Sequence, residues 1–223
     1  MKILITGFEP FGTNKYNPSW EAVRQLQAPE GVEFVKLRLP VEFQNAPRLL
    51  LEAVRDLKPD AVLCVGLAEG RVEITPERVA INCMDARIPD NAGFQPQDEP
   101  IAPDGQTAYF SCLPIREIAK AIQAEGIPAK ISNTAGTYVC NALMYRLLQT
   151  IDQEPQFKDV CGGFIHVPAT PDMGLPKGTP TMELNQIVRA LQIAVDVVSK
   201  HAAMKIDGSG VISAKPAFSA FCG

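Results

Sequence analysis

Histidine is nearly missing: the chain has two in 223 residues. A zinc site would therefore have to be improvised from scattered thiols, and no metal is expected. The six cysteines, at positions 64, 83, 112, 140, 161 and 222, include no C-x-x-C pair. A chain of this length can build a core without disulfide staples. No apolar run approaches the ~18 residues that span a bilayer. Positive charge is also in short supply, with a net charge of −4. Neither nucleic acid nor an anionic membrane surface is attracted to such a protein, and neither is expected as a partner. ITGFEPFG carries Gly7 and Gly12 but no G-x-G-x-x-G, and no Gly-Lys-Ser/Thr follows any strand pattern. Dinucleotide and nucleoside-triphosphate chemistry fall away with them, and no cofactor is expected. MKILITGFEPFG runs straight into a strand pattern without a basic, apolar leader. The expected location is the cytoplasm.

What is present is an ordinary globular composition, 46% hydrophobic and 21% charged, which has ample material for a core. Branched residues mark strands in KILITGF, VEFVKLRLP, DAVLCVGLA, EITPERVAINCM, AKIS and VCGGFIHVPA. Helical patterns stand between or after them in PSWEAVRQLQ, APRLLLEAVRDLK and PIREIAKAIQAEG, from position 138 onward, and over about 182–204. Such alternation predicts one three-layer α/β domain over residues 1–206 with a largely parallel sheet. The stretch 84–110 is rich in Pro, Gly and Asp and has little periodicity, so it reads as a long functional loop. Residues 207–223 read as a loosely attached tail.

SNTAGTYVCNALMYRLL, residues 132–148, holds turn and cap residues up to Gly136 and then apolar residues at helical spacing. Cys140 falls in the first turn of that helix, after a short strand at about 129–132. Free N–H groups at a helix mouth stabilise a thiolate and lower its pKa. Read blandly, Cys140 is a small buried hydrophobe. A catalytic thiol needs a base, and only His166 and His201 are available. His201 ends the last helix, where a surface cation suits the helix dipole. His166 closes the strand VCGGFIH, and functional side chains gather at the carboxyl ends of strands; a hydrogen-bonded structural histidine is the alternative. A third group should orient the imidazole. Glu77, alone in an apolar stretch, is one candidate, with an arginine salt bridge as its other explanation; Asp85 and Asp90 are also in reach.

These segments together resemble the pyroglutamyl peptidase I, or pyrrolidone-carboxylate peptidase, family of cysteine peptidases. The matching blocks are TGFEPFG…NPSWEAV at 6–23, ITPERVAIN…DARIPDNAG at 74–93, SNTAGTYVCNALMY at 132–145 and GGFIHVPATPD at 162–172. The resemblance implies Cys140 as nucleophile, His166 as base and Glu77 as the acidic third member. It implies Arg87 near the oxyanion, with Phe8, Phe11, Asn17, Leu67 and Tyr138 about the substrate. It also implies a single α/β/α sandwich around a twisted mixed sheet. The implied activity is a cytoplasmic omega-type thiol peptidase that removes N-terminal pyroglutamyl residues from peptides through an acyl-enzyme. The implied assembly is a homotetramer.

Two departures bear on substrate fit. The family's Gly-x-Ala-Gly-Gly-Arg, often with Gln second, reads GLAEGR here, with Leu67 and Glu69; and Met84 replaces a commonly acidic residue. Either the side chain at position 67 or the backbone of its turn contacts the lactam, and the backbone is the favoured reader. A different thiol amidohydrolase, or a silent binder with a buried Cys140, are the competing readings.

Overall fold

The computed structural model describes residues 1–12 and 14–206. The expected tail, including Cys222, lies outside the described residues. Five strands form one sheet: β1 (Lys2–Phe8), β2 (Glu33–Leu39), β3 (Ala61–Leu67), β4 (Thr75–Pro76) and β7 (Cys161–Val167), ordered β2-β1-β3-β7-β4. All neighbours are parallel except β4 on β7, so the sheet is mixed, as expected. A separate two-stranded ribbon pairs β5 (Val79–Ile81) with β6 (Ala108–Phe110). The helices are α1 (Pro18–Val23), α2 (Asn45–Leu57), α3 (Ile115–Ala124), α4 (Val139–Gln153) and α5 (Leu184–Ile206). No helix among the described residues is long and apolar enough to cross a membrane.

Strand alternation divides the core. Leu4, Val62, Cys64 and Phe164 pack with residues of α2 and α4. Ile3, Ile5, Leu63, Val65, Ile165 and Val167 pack with residues of α1, α3 and α5 on the other face. With both faces covered, the strands read as almost continuous apolar runs.

EITPERVAINCM does not form one strand. Pro76 has no N–H to give to a ladder, so the pairing with β7 covers only two residues before the chain leaves for the β5–β6 ribbon. AKIS likewise forms no strand. It follows the interrupted segment through parallel bridges at Ile74–Ala129 and Glu77–Ser132, with Ser132 N–H donating to the Pro76 carbonyl at 3.0 Å.

β1 continues beside β2 as far as Phe8 and β3 beside β7 as far as Leu67, but β1 and β3 pair only to Thr6 and Cys64. Beyond that point the two strands part, at the position where the chain order reverses. In open α/β sheets the crevice at the carboxyl ends of such a pair is the place for a ligand.

Candidate active site

Gly136, four residues before Cys140, has φ +78°, a left-handed conformation that suits glycine and turns the chain into α4. Tyr138 is the N-cap residue and supplies no side-chain cap, so Cys140 occupies the second helical position. Asn141 anchors this helix mouth from within the core. Its Oδ1 accepts from Ile81 N–H at 3.0 Å, and its Nδ2 donates to the carbonyls of Ile81 and Cys83 at 2.9 and 3.0 Å.

The thiol rests on Gly66 near the end of β3: a Cβ there would lie 2.9 Å from Cys140 Sγ and 2.7 Å from Phe164 Cζ. Gly66 pairs in register with His166 on β7. Paired residues point to the same sheet face, so the imidazole shares the face against which the thiol lies. Phe164, two residues earlier, packs on the His166 ring at a tilt of 50° with centroids 4.7 Å apart.

His166 Nδ1 lies 2.7 Å from Oε1 of Glu77, which is fully buried. The same oxygen accepts from Arg71 Nη1 at 2.6 Å. The two sequence explanations of Glu77, an imidazole partner and an arginine salt bridge, therefore hold together. Burial alone would raise the Glu77 carboxyl. The hydrogen bond and charge of His166, the adjacent Ser132 hydroxyl and the Arg71 cation outweigh it and hold the carboxyl below its ordinary value. Glu77 Oε2 has no hydrogen-bond partner among the described residues; the Ser132 hydroxyl is turned to the Thr134 carbonyl at 3.0 Å. Burial lowers the His166 pKa, and Glu77 only partly restores it. A neutral imidazole that donates from Nδ1 leaves its Nε2 lone pair free to take a proton.

The thiol departs from expectation. Cys140 is partly exposed as a residue, but desolvation of its sulfur, followed by the Glu77 charge, pushes the thiol up to about 12 against the opposing Arg71 charge. Desolvation outweighs the helix mouth here and disfavours the thiolate.

The expected substrate residues divide. Phe11 meets Tyr138 edge-on at 5.6 Å, and Tyr138 meets Phe43 at 5.1 Å. Tyr138 Oη donates to the Pro89 carbonyl at 3.0 Å, fastening the loop after residue 84 beside the helix mouth. Phe8 is instead a core residue, 1% exposed, packed on Phe164 at 6.4 Å. Asn17 caps α1: its Oδ1 accepts from Ser19 N–H and Oγ–H, and its Nδ2 donates to the Glu9 carbonyl, so every polar group of the side chain is engaged. Leu67 follows the alternation of Leu63 and Val65, and its side chain leaves the sheet on the face opposite Cys140. Arg87 is exposed and makes no hydrogen bond or ion pair among the described residues. Asp90 accepts the N–H groups of Phe43, Ala92 and Phe94, and Asp85 is exposed; neither meets His166. His201 is half-buried, and burial followed by the Lys205 charge lowers its pKa, so it is not the surface cation expected at a helix end.

Arg71 and Asn141 escape sequence reading. Arg71 closes the GLAEGR turn, where Leu67 and Glu69 draw attention, and Asn141 is one polar residue within an apolar helix. Only the motif position of Arg71 offered a signal.

A thiol, an imidazole and a carboxylate gathered at the carboxyl end of a mostly parallel α/β sheet define a site of the kind hydrolases use. The family model for pyroglutamyl peptidase matches residues 1–201. A pyrrolidone-carboxylate peptidase from Lactobacillus johnsonii is 49% identical over 216 residues, 96% of this chain and 97% of the relative. The crystal structure of Bacillus amyloliquefaciens pyroglutamyl peptidase I superposes with a TM-score of 0.86 at 45% identity, covering 90% of this chain and 98% of that one. A mutant pyrrolidone carboxyl peptidase from Pyrococcus furiosus gives a TM-score of 0.85 at 41% identity, covering 90% and 99%. The chain belongs to the pyroglutamyl peptidase family and is an enzyme of that family.

Proposed function

We propose that this enzyme removes the N-terminal pyroglutamyl residue from peptides, with Cys140 as nucleophile, His166 as base and then acid, and Glu77 as the carboxylate that orients the ring. The observation that carries the reading is the convergence of the Cys140 thiol and the His166 imidazole on Gly66, with Glu77 on Nδ1. With the thiol pushed up and the imidazole pushed down in pKa, proton transfer to His166 Nε2 accompanies attack of Sγ on the carbonyl carbon that joins pyroglutamate to the next residue. The oxyanion that forms takes the Cys140 N–H at the helix mouth, and Arg87, on the loop over the site, is the candidate for a second donor. His166 then protonates the leaving amine. Water, deprotonated by the same nitrogen, releases pyroglutamate from the thioester.

Pyroglutamate is a flat neutral lactam, and the walls formed by Phe11, Phe43 and Tyr138 suit its apolar body. Phe8 supports this pocket from below through Phe164, and Asn17 fixes the loop that carries Phe11. A backbone group of the turn at Leu67 reads the lactam edge. A cytoplasmic homotetramer accompanies this reading through the family resemblance, and light scattering on the purified chain tests the assembly. The activity test compares fluorogenic pyroglutamyl, prolyl and glutaminyl amides on the wild type and on Cys140→Ala. Hydrolysis of the pyroglutamyl amide alone, lost in the variant, is expected. Equal turnover of the three amides, or an active variant, would overturn the reading.

A further inference from the structure

Arg71 sits at the junction of three parts of the site. Its Nη1 donates to Glu77 Oε1 at 2.6 Å and to Thr75 Oγ1 at 2.5 Å, while Nη2 donates to the Thr134 carbonyl at 3.0 Å. Thr75 is paired with His166 across β4 and β7. Thr134 lies in the turn that leads to Gly136 and Cys140. One guanidinium thus touches the orienting carboxylate, the strand beside the imidazole and the approach to the thiol. The side chain is 25% exposed and reaches water through a cleft of about 380 Å³ lined by Gly70, Arg71, Thr75, Lys130, Ser132 and Asn133.

We propose that Arg71 is a positioning residue for the reaction: its fork fixes the Glu77 carboxylate that orients His166 and ties that pair to the loop delivering Cys140. This inference rests on the roles given above to Glu77, His166 and Cys140. Three features of the geometry carry it. First, a fully buried carboxylate with a single neutral imidazole partner would be costly to keep ionised, and the charged fork removes that cost. Second, the guanidinium occupies the same oxygen as His166 Nδ1, so it limits how strongly Glu77 draws a proton onto the ring. Third, a planar fork can hold three acceptors at once, which an ammonium on a flexible stem cannot do in fixed directions. The titratable or charged groups that face the Glu77–His166 pair are Arg71 from the turn after β3 and Cys140 from α4, with Cys64 of β3 behind the thiol. Of these, Arg71 supplies the positive charge, and it lowers the proton affinity of both His166 and Cys140.

The test exploits the two histidines. In the full chain labelled with ¹⁵N-histidine, His201→Gln identifies the His166 resonances, and the His166 titration is followed in wild type and in Arg71→Gln. Arg71→Gln is expected to raise the His166 midpoint by about one unit, a tenfold gain in proton affinity. The acid limb of kcat/KM on a pyroglutamyl amide should move the same way, with kcat falling about tenfold or more. A folded Arg71→Gln with the wild-type midpoint and acid limb would make Arg71 merely structural and overturn the proposal. Should that variant not fold, Arg71→Lys carries the test. It keeps the charge and loses the fork, so kcat should fall while the midpoint stays near wild type; an unchanged kcat overturns the proposal. The titration needs no substrate. A wild type that leaves the pyroglutamyl amide intact would therefore defeat the proposed function while the Arg71 inference is still decided by the resonance shift.

Discussion

Gly66 and His166 stand opposite one another on adjacent parallel strands, and the space that a side chain at Gly66 would fill holds the sulfur of Cys140. The approach of the Cys140 sulfur to the strand that pairs with His166 is therefore set by backbone pairing and by the absence of one methyl group. Gly66→Ala should give a folded protein with the sulfur displaced. Because a misplacement of about 1 Å can cost on the order of a hundredfold, kcat on a pyroglutamyl amide should drop about 10- to 100-fold, with a smaller change in KM. Steady-state kinetics on the folded variant decides it; wild-type kcat would show that the sulfur relaxes without consequence.

Cys140→Ala and His166→Ala should each abolish measurable amidase activity, because members of one catalytic unit are strongly non-additive. Cys64→Ala and His201→Ala should keep most of it. Cys64 is buried and its thiol is raised to about 12, mainly by desolvation, so it is a core residue. Assay of the four variants at matched concentration checks the assignment, and a reversal between the two histidines would show that the wrong base has been named.

Glu77→Gln keeps an acceptor for the His166 N–H but removes the charge that stabilises the protonated ring and the partner of Arg71. A folded variant with kcat lowered about 10- to 1,000-fold is expected, in line with the contribution of general acid–base catalysis. Full activity would make the carboxylate structural.

Stability should fall in mild acid for a specific reason. The His166 pKa is lowered in the folded state by burial. Below the ordinary histidine value the unfolded chain therefore binds a proton that the folded one refuses, and stability rises with pH across that window. Below the folded pKa the slope from this group ends. Glu77, whose folded pKa is lowered, stabilises above the ordinary carboxylate value, and that contribution is lost as pH falls further. Urea midpoints between pH 4 and 8 should show the first loss in the wild type and a flatter dependence in His166→Gln.

Leu67→Gln should change kcat/KM on a pyroglutamyl amide by less than about threefold, well short of the ~1–3 kcal/mol attached to an unpaired buried polar group. The Leu67 side chain leaves the sheet on the face away from Cys140, so a side chain there is not expected to reach the substrate. A tenfold gain would show that a side chain there reads the substrate.

Strands β1, β3 and β7 and helices α2 and α4 were legible because apolar alternation and helical spacing are local signals, and the crossovers followed from them. Cys140 and His166 were legible for the same reason, since each sits at the end of a strongly patterned element. The ladder around Glu77 was not, because Pro76 interrupts it and its partner near position 130 is distant in sequence. Arg71 was hidden because its contacts at 75, 77 and 134 meet only after folding. Phe8 and Asn17 were expected about the substrate through the family resemblance alone, and the sequence did not show that Phe8 is buried in the core and that Asn17 caps α1.

The packing of the Cys140 sulfur against Gly66 also bears on how this enzyme should age. Peroxide and other oxidants attack thiolates, so a sulfur whose pKa is raised is expected to climb slowly to sulfenic and sulfinic acids. Packed against Gly66 and raised in pKa, the sulfur is expected to inactivate slowly in dilute peroxide, which the loss of amidase activity over time would measure.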